Sequence, residues 1–350
     1  MSILTHSPAI VRDGLVMCLD AGAVRSYPGN LVTNGAFDAD SDWTKGTNWT
    51  IGSGAASHTA GSASYLTQAV GKLVEGKSYV CTYTISSYSA GDVRLVLGGT
   101  NGTYRGVTGG AQTWRETLTC GSTDSNVKFY GHTAFVGSID NVIVQEATWS
   151  DLSGNLNNGT LVNEPVFSAE SGAGGTRSFD FDGSSDYMNL GAGSSLNFGT
   201  GGVTMDAWVK TTQSSEGQIL RVSYTSPYVL FGVASGKLRA AIHDGTTGAN
   251  DENSNGPTVN DGDWHHVAAV FNRGGNIVFY KDAVATTGVS MSSVTDSIGA
   301  PNPYAAISRR PNSDSQYFDG KITCVRAYNR ALTAAEIQQN YRTHKGRFGR

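Results

Sequence analysis

Val203-Thr204-Met205-Asp206-Ala207-Trp208-Val209 alternates residue by residue, with Val203, Met205, Ala207 and Val209 on one side and Thr204, Asp206 and Trp208 on the other. A period of two marks a β-strand, and this one predicts a packed face and a wetter face. Tyr79-Val80-Cys81-Thr82-Tyr83-Thr84-Ile85 repeats the pattern, whereas His265-His266-Val267-Ala268-Ala269-Val270-Phe271 is apolar on both faces after its first residues and predicts a strand buried between layers. Outward from these, most of the chain falls into short runs of Val, Ile, Tyr and Phe separated by Gly, Asn, Asp and Ser, which is the pattern of an all-β protein. A helix is well signalled at the carboxyl end. There Thr333-Ala334-Ala335-Glu336 makes a capping box, Leu332 can staple against Ile337, and the helix is expected to run to about Tyr341. Arg342, His344 and Lys345 then place positive charge at the negative end of its dipole.

A length of 350 residues suits two domains. With 45 glycines, 15 % charged residues and more Tyr than either Trp or Phe, the composition is that of short strands and polar turns. The net charge of −4, with both signs interspersed, provides no footprint for nucleic acid or for an anionic membrane. Cys18, Cys81, Cys120 and Cys324 lack zinc-site spacing and read as buried thiols, with a Cys81–Cys120 bridge open if their strands pair. The opening MSILTHSPAIVRDGL has no basic segment followed by an apolar run, so neither secretion nor membrane insertion is expected.

Several motifs carry a family resemblance. Ile10 to Gly22 followed by Ser26-Tyr27-Pro28-Gly29 is similar to the opening strand of laminin-G-like, concanavalin-A-like jelly rolls in tailed-phage structural proteins. The usual continuation, Thr148-Trp149-Ser150-Asp151-Leu152 through Leu161, arrives only after residues 30–147. Phe181-Asp182-Gly183-Ser184-Ser185-Asp186-Tyr187, Asp261-Gly262-Asp263-Trp264-His265-His266 and Phe318-Asp319-Gly320-Lys321-Ile322 then follow in family order. Residues 30–147, with Asn30 to Phe37, Trp43 and Trp49 at one end and Ser138 to Glu146 at the other, resemble a carbohydrate-binding-module β-sandwich. The resemblance implies an all-β chain of two β-sandwich jelly rolls, one inserted into a loop of the other, with a short C-terminal helix: 1–29 with 148–350, interrupted by 30–147. It further implies a non-enzymatic virion structural protein of a tailed phage, a capsid decoration, fibre or tail appendage at the virion surface. Its partners would be other virion proteins, in a homotrimer by analogy with phage appendages, and its lectin-like domains would attach weakly to surface glycans or to the host. Purely structural decoration and a degraded or accessory polysaccharide hydrolase are the alternatives.

The residue chemistry bears on each. Glycan-cleaving jelly rolls place glutamates two and four residues apart on one strand, whereas the nearest pair here, Glu164 and Glu170, is six apart. Asp180 and Asp182 alternate, yet Phe-Asp-Phe-Asp-Gly reads as a strand entering a turn. Adjacent His265 and His266 point to opposite faces and cannot share a metal. Asp151, Ser153 and Asn155 begin like a calcium loop, but its twelfth position is Val162. No cofactor is required; a structural calcium on strand-end carboxylates is open, with Asp20, Asp182 and Asp186 as candidates, although Thr323 and Cys324 stand where the family often has acidic residues. Sugar binding needs flat aromatic faces ringed by polar groups. Trp43, Trp49, Tyr104, Trp114 and Tyr130 of the insert, and Trp208 and Tyr228 of the larger domain, are the candidates, with Tyr224 and Tyr304 comparable.

Overall fold

A computed structural model describes residues 9–21, 29–107, 109–163, 165–170, 176–192, 194–251, 255–299 and 304–350. The fold is all-β, with antiparallel sheets throughout and one short α-helix near the C-terminus among the described residues. The chain divides into two compact units, Met1–Tyr27 with Trp149–Arg350, and Pro28–Thr148.

In the larger unit the Val203–Lys210 strand lies at the centre of a sheet, between Trp264–Phe271 and Asp319–Tyr328. Outward on the first side follow Asn276–Lys281 and Val284–Ser290, and on the other Thr176–Asp182 and Val166–Glu170. The Leu15–Leu19 strand also pairs with Asp319–Tyr328, setting Cys18 opposite Arg326 and Leu19 opposite Val325. The loop Asp151 to Asn157 staples this first strand from the side: Cys18 N–H and Ser153 N–H donate to Asp151 Oδ1, and Asn157 donates to the Val16 carbonyl. Its calcium-loop look is therefore turn chemistry serving the fold. The facing sheet includes, in order, Gly159–Val162, Tyr187–Ala192, Tyr304–Ile307, Gly217–Val222, Tyr228–Ala234, Lys237–His243 and Gly248–Asp251, with the short Thr148–Trp149 strand beside Gly159–Val162.

The alternation of Val203–Lys210 is present, but its second face is not wet. Thr204, Asp206 and Trp208 are all 0 % exposed, because the helix Ala334–His344 and the 3-10 turn Lys345–Phe348 lie across them. Thr204 Oγ1 accepts from Leu332 N–H at 2.9 Å, Asn340 donates to Asp206 at 2.8 Å, and the Trp208 ring stacks on Phe348 with centroids 4.1 Å apart. The buried charge of Asp206 is met by Arg326, whose Nε donates to Oδ1 at 2.5 Å. Burial opposes ionisation of Asp206, yet Arg326 and His266 outweigh it and hold its carboxyl below the usual range.

The helix begins with the capping box: Glu336 N–H donates to Thr333 Oγ1 at 3.3 Å and Thr333 N–H to Glu336 at 2.9 Å. Leu332 and Ile337 share one apolar cluster. The helix runs a turn past the expected Tyr341. His344 does not serve as a dipole-neutralising cation, since burial and the adjacent Arg326 push its pKa down to about 4.

The smaller unit consists of two five-stranded sheets. One has the order Thr44–Lys45, Ser64–Ala69, Asn126–Gly131, Val93–Leu97, Thr100–Asn101; the other Trp49–Gly52, Ala55–His58, Val136–Glu146, Ser78–Ala90, Gln112–Thr119. One apolar core containing Trp43, Trp49, Tyr83, Phe129 and Phe135 fills this unit. All four cysteines are buried and none is in a disulfide, so Cys81 and Cys120 are not bridged. No described helix is long and apolar enough to cross a membrane.

Candidate functional site

The site begins with a strand register. Tyr130 stands opposite Tyr65 on one side and opposite Arg94 on the other, across three neighbouring strands of the smaller unit. Directly opposed residues share a face, and the next residues, Leu66, Phe129 and Leu95, are fully buried in the core. Alternation therefore turns Tyr65, Tyr130 and Arg94 outward as a row. The Tyr65 and Tyr130 ring centroids are 4.9 Å apart. Arg94 carries the row onward, its guanidinium carbon 5.3 Å from the Tyr130 ring centre and 4.6 Å from that of Tyr104. His132 meets both Tyr104 and Tyr130 edge-on, and Lys128 reaches over Tyr65.

Tyr65 and Tyr104 are 42 % and 43 % exposed, so the two ends of this ladder present ring surface to solvent. Arg94 is half-buried, and its Nε is buried without a hydrogen-bond partner. Among the described residues it has no acidic partner. Cation–π contacts with two rings hold the guanidinium while leaving its hydrogen-bonding capacity uncommitted. The arrangement can accept a flat apolar ligand face on the tyrosines and donate to oxygen atoms from Arg94 and the phenols.

Of the residues singled out from sequence, Tyr104 and Tyr130 are brought together here. Tyr65, Arg94 and His132 complete the site and were missed; the alternation of Tyr130 with His132 signalled a shared face, but only the register shows which strands flank it. Trp43 and Trp49 are core residues and not ligand platforms: Trp43 packs on Phe37 and Phe129, and Trp49 on His58 and Phe135. Trp114 is on the other sheet, packed against the core with Arg105 over its ring at 4.4 Å. Trp208 is corrected likewise, its indole being closed in by Phe348 and Tyr341. Tyr228, in the larger unit, is half-buried with the guanidinium of Arg221 over it at 4.7 Å.

Each calcium candidate is engaged by other groups of the fold. Asp20 takes three hydrogen bonds from Arg347, at 2.8 to 3.1 Å. It converges with Cys324 and His344, a set with a thiol whose pKa burial raises well above its ordinary value and an imidazole, where calcium takes six to eight oxygens. Asp182 accepts from the backbone N–H groups of Ser184, Ser185 and Asp186 and from both serine hydroxyls. Burial opposes that charge, but these donors win and hold its carboxyl far below the ordinary range. Asp186 is buried, its carbonyl accepting from Ser308. Among the described residues neither Asp182 nor Asp186 joins a three-membered cluster of metal-binding groups. His265 and His266 do diverge: His265 is bracketed by Asp261 and Asp282, and His266 faces Asp206 and Arg326. Glu164 and the side chain of Glu170 lie outside the described residues.

Several solved structures are similar to parts of the chain. The binding domain of Paraclostridial Mosquitocidal Protein 1 is 14 % identical, with a TM-score of 0.43 over 55 % of this chain and 49 % of its own. The botulinum neurotoxin serotype C1 binding domain is 12 % identical, with a TM-score of 0.41 over 55 % and 49 %. Domain 4 of AbnA, a GH43 extracellular arabinanase from Geobacillus stearothermophilus in complex with arabinotriose, is 17 % identical, with a TM-score of 0.42 over 55 % and 92 %. The chain thus spans about half the length of the toxin domains it matches. No curated protein matches the sequence. Residues 182–338, within the larger unit, match the family model of the Concanavalin A-like lectin/glucanases superfamily.

Proposed function

We propose that the protein is a non-enzymatic carbohydrate-binding protein whose smaller unit takes glycans on the Tyr65–Tyr130–Arg94–Tyr104 ladder. The carrying observation is the ladder itself, a row of partly exposed tyrosine rings bridged by a guanidinium with no acidic partner among the described residues. Such a surface binds one saccharide weakly. It becomes effective when many copies are displayed together, where linked sites raise avidity by roughly 10²–10⁴. With the family motifs in the larger unit, this supports a structural protein at the surface of a tailed-phage virion, attaching the particle to host or environmental polysaccharide.

Glycan-array binding tests the reading on the purified protein and on assembled particles, with Tyr130→Ala beside the wild type. Tyr130 is central to the row, and its loss is expected to weaken sugar binding about tenfold or more, with the thermal unfolding midpoint nearly unchanged. Equal binding by Tyr130→Ala overturns the ladder as the site. Absence of binding by both protein and particles makes the fold a decoration held by protein contacts alone.

A further inference from the structure

The larger unit carries a second, differently built surface. In the strand Gly217–Val222, alternation turns Leu220 and Val222 to one side and Arg221 to the other, beside its cross-strand neighbours Leu230 and Ala306. Arg221 is only 4 % exposed, with Nε donating to the Ser223 carbonyl at 3.0 Å and an Nη to that of Tyr224 at 3.1 Å. Arg310 reaches the same Tyr224 carbonyl at 3.4 Å, its guanidinium 4.4 Å above the Tyr224 ring. Two guanidinium groups thus converge on one carbonyl oxygen.

Their surroundings do not balance this charge. Neither Arg221 nor Arg310 has an acidic partner among the described residues, and Arg310 Nε is buried with no hydrogen-bond partner at all. The neighbouring Arg309, by contrast, has Asp314 at 3.1 Å. Burial and the repulsion of Arg310 push the pKa of Arg221 down to about 10. Two adjacent like charges, Arg221 buried and Arg310 half-buried, are costly without a counterion, and an anion from outside would complete the set with charge-assisted hydrogen bonds. Tyrosine surface flanks the pair: Tyr224 is 38 % exposed, and Tyr304, whose carbonyl accepts from Ser223 N–H, is 44 % exposed.

We infer that Arg221 and Arg310 form an oxyanion site for an acidic saccharide, a uronate carboxylate or a sulfate ester, whose pyranose ring lies against Tyr224 and Tyr304. The aromatic flanks favour a sugar over a bare ion or an acidic peptide, because rings of that size match the apolar face of a pyranose. The inference deepens the carbohydrate-binding reading by naming a ligand class, yet it concerns another unit and does not depend on the ladder.

Calorimetric titration of the full-length protein tests it, using tetragalacturonate, its fully methyl-esterified form, a sulfated galactan tetrasaccharide, inorganic sulfate and tetraglutamate. At least one acidic saccharide is expected to bind, with affinity falling as salt rises, and the neutral ester to bind at least tenfold more weakly. The two acidic sugars distinguish carboxylate from sulfate recognition. Arg310→Gln, at a half-buried position where folding survives, is expected to lower acidic-sugar affinity about tenfold or more without shifting the thermal midpoint. Each variant should damage its own site: Arg310→Gln the acidic sugar, Tyr130→Ala the neutral glycan. Equal binding of the ester, unchanged affinity in Arg310→Gln, or inorganic sulfate or tetraglutamate binding as tightly as the sugars would overturn the inference. An acidic-sugar affinity lost in Tyr130→Ala instead would transfer the ligand to the ladder.

Discussion

Aromatic rings meet arginine in two contrasting settings. In the smaller unit Tyr65, Tyr130, Arg94 and Tyr104 form an outward row whose ends are open to solvent. In the larger unit Trp208, His266 and Arg326 also lie on one face of a sheet, but Tyr341 and Phe348 cover them and Asp206 neutralises the guanidinium. The residue types are nearly the same. What separates a candidate ligand platform from a structural plug is the covering element, here a helix and turn supplied from the last residues of the chain. Covering also changes the electrostatics: the half-buried Arg94 stands without an acidic partner among the described residues, whereas the fully buried Arg326 is paired with Asp206.

The largest effect should come from breaking the covered pair. Arg326→Met leaves the Asp206 carboxylate at 0 % exposure with its main counterion gone. Losing one partner of a buried ion pair typically costs about 3–5 kcal/mol, and urea unfolding of the variant should show a loss of that size in the larger unit's transition. A loss below about 1 kcal/mol would mean that the pair behaves like a surface one and that the contrast drawn above is false.

A smaller effect lies at the start of the covering helix and depends on pH. The Arg330 guanidinium, with hydrogen bonds at 2.6 and 3.0 Å, together with Thr333, holds the Glu336 pKa down to about 2 from an ordinary 4.5. A carboxyl depressed by folding stabilises above its unfolded pKa, and that contribution is lost as pH falls from about 4.5 through about 2. Other depressed carboxyls, Asp261 and Asp282 among them, titrate in the acid range too. Glu336→Gln should therefore flatten the acid loss by at most one proton's worth, about 1.4 kcal/mol per pH unit at the steepest. Stability measured from pH 5 to pH 2 that falls equally in wild type and variant would show the fork to be inert. Thr333→Ala removes the other half of the box and should cost about 1 kcal/mol, read as a lower thermal midpoint with faster hydrogen exchange along the helix.

Much of this was legible because it is local. The alternation of Val203–Val209 identified a strand, and Thr333 with Glu336 identified a helix start, since both patterns are completed within a few residues. The burial of Trp208 was not legible, because the residues that cover it come from a helix and turn far along the chain. The same reason explains Asp20, which looked like a free strand-end carboxylate until Arg347, near the other end of the sequence, came to rest on it. Tyr104 and Tyr130 could be nominated as aromatic, but Tyr65 and Arg94 join them only through the pairing of three strands. Pairing register is a tertiary property, and a one-residue slip would have placed these side chains in the core.

The smallest expected effect on stability is at the ladder, and it sharpens the comparison most. Arg94→Gln removes a guanidinium that, among the described residues, has no acidic partner, and whose contacts with Tyr104 and Tyr130 are cation–π contacts at a half-exposed site. The two contacts together are worth about 1–2 kcal/mol at most, and glutamine retains part of the stem packing, so unfolding should change by about 1 kcal/mol. Sugar binding should nevertheless fall, because the group that bridges the rings and donates to ligand oxygens is gone. That combination, a small stability change with a loss of binding, is opposite to the outcome for Arg326→Met, where stability collapses first. If Arg94→Gln instead destabilised the smaller unit by several kcal/mol while leaving binding intact, the ladder would be a structural element in the same sense as the plug beneath the helix, and exposure would have ceased to distinguish the two.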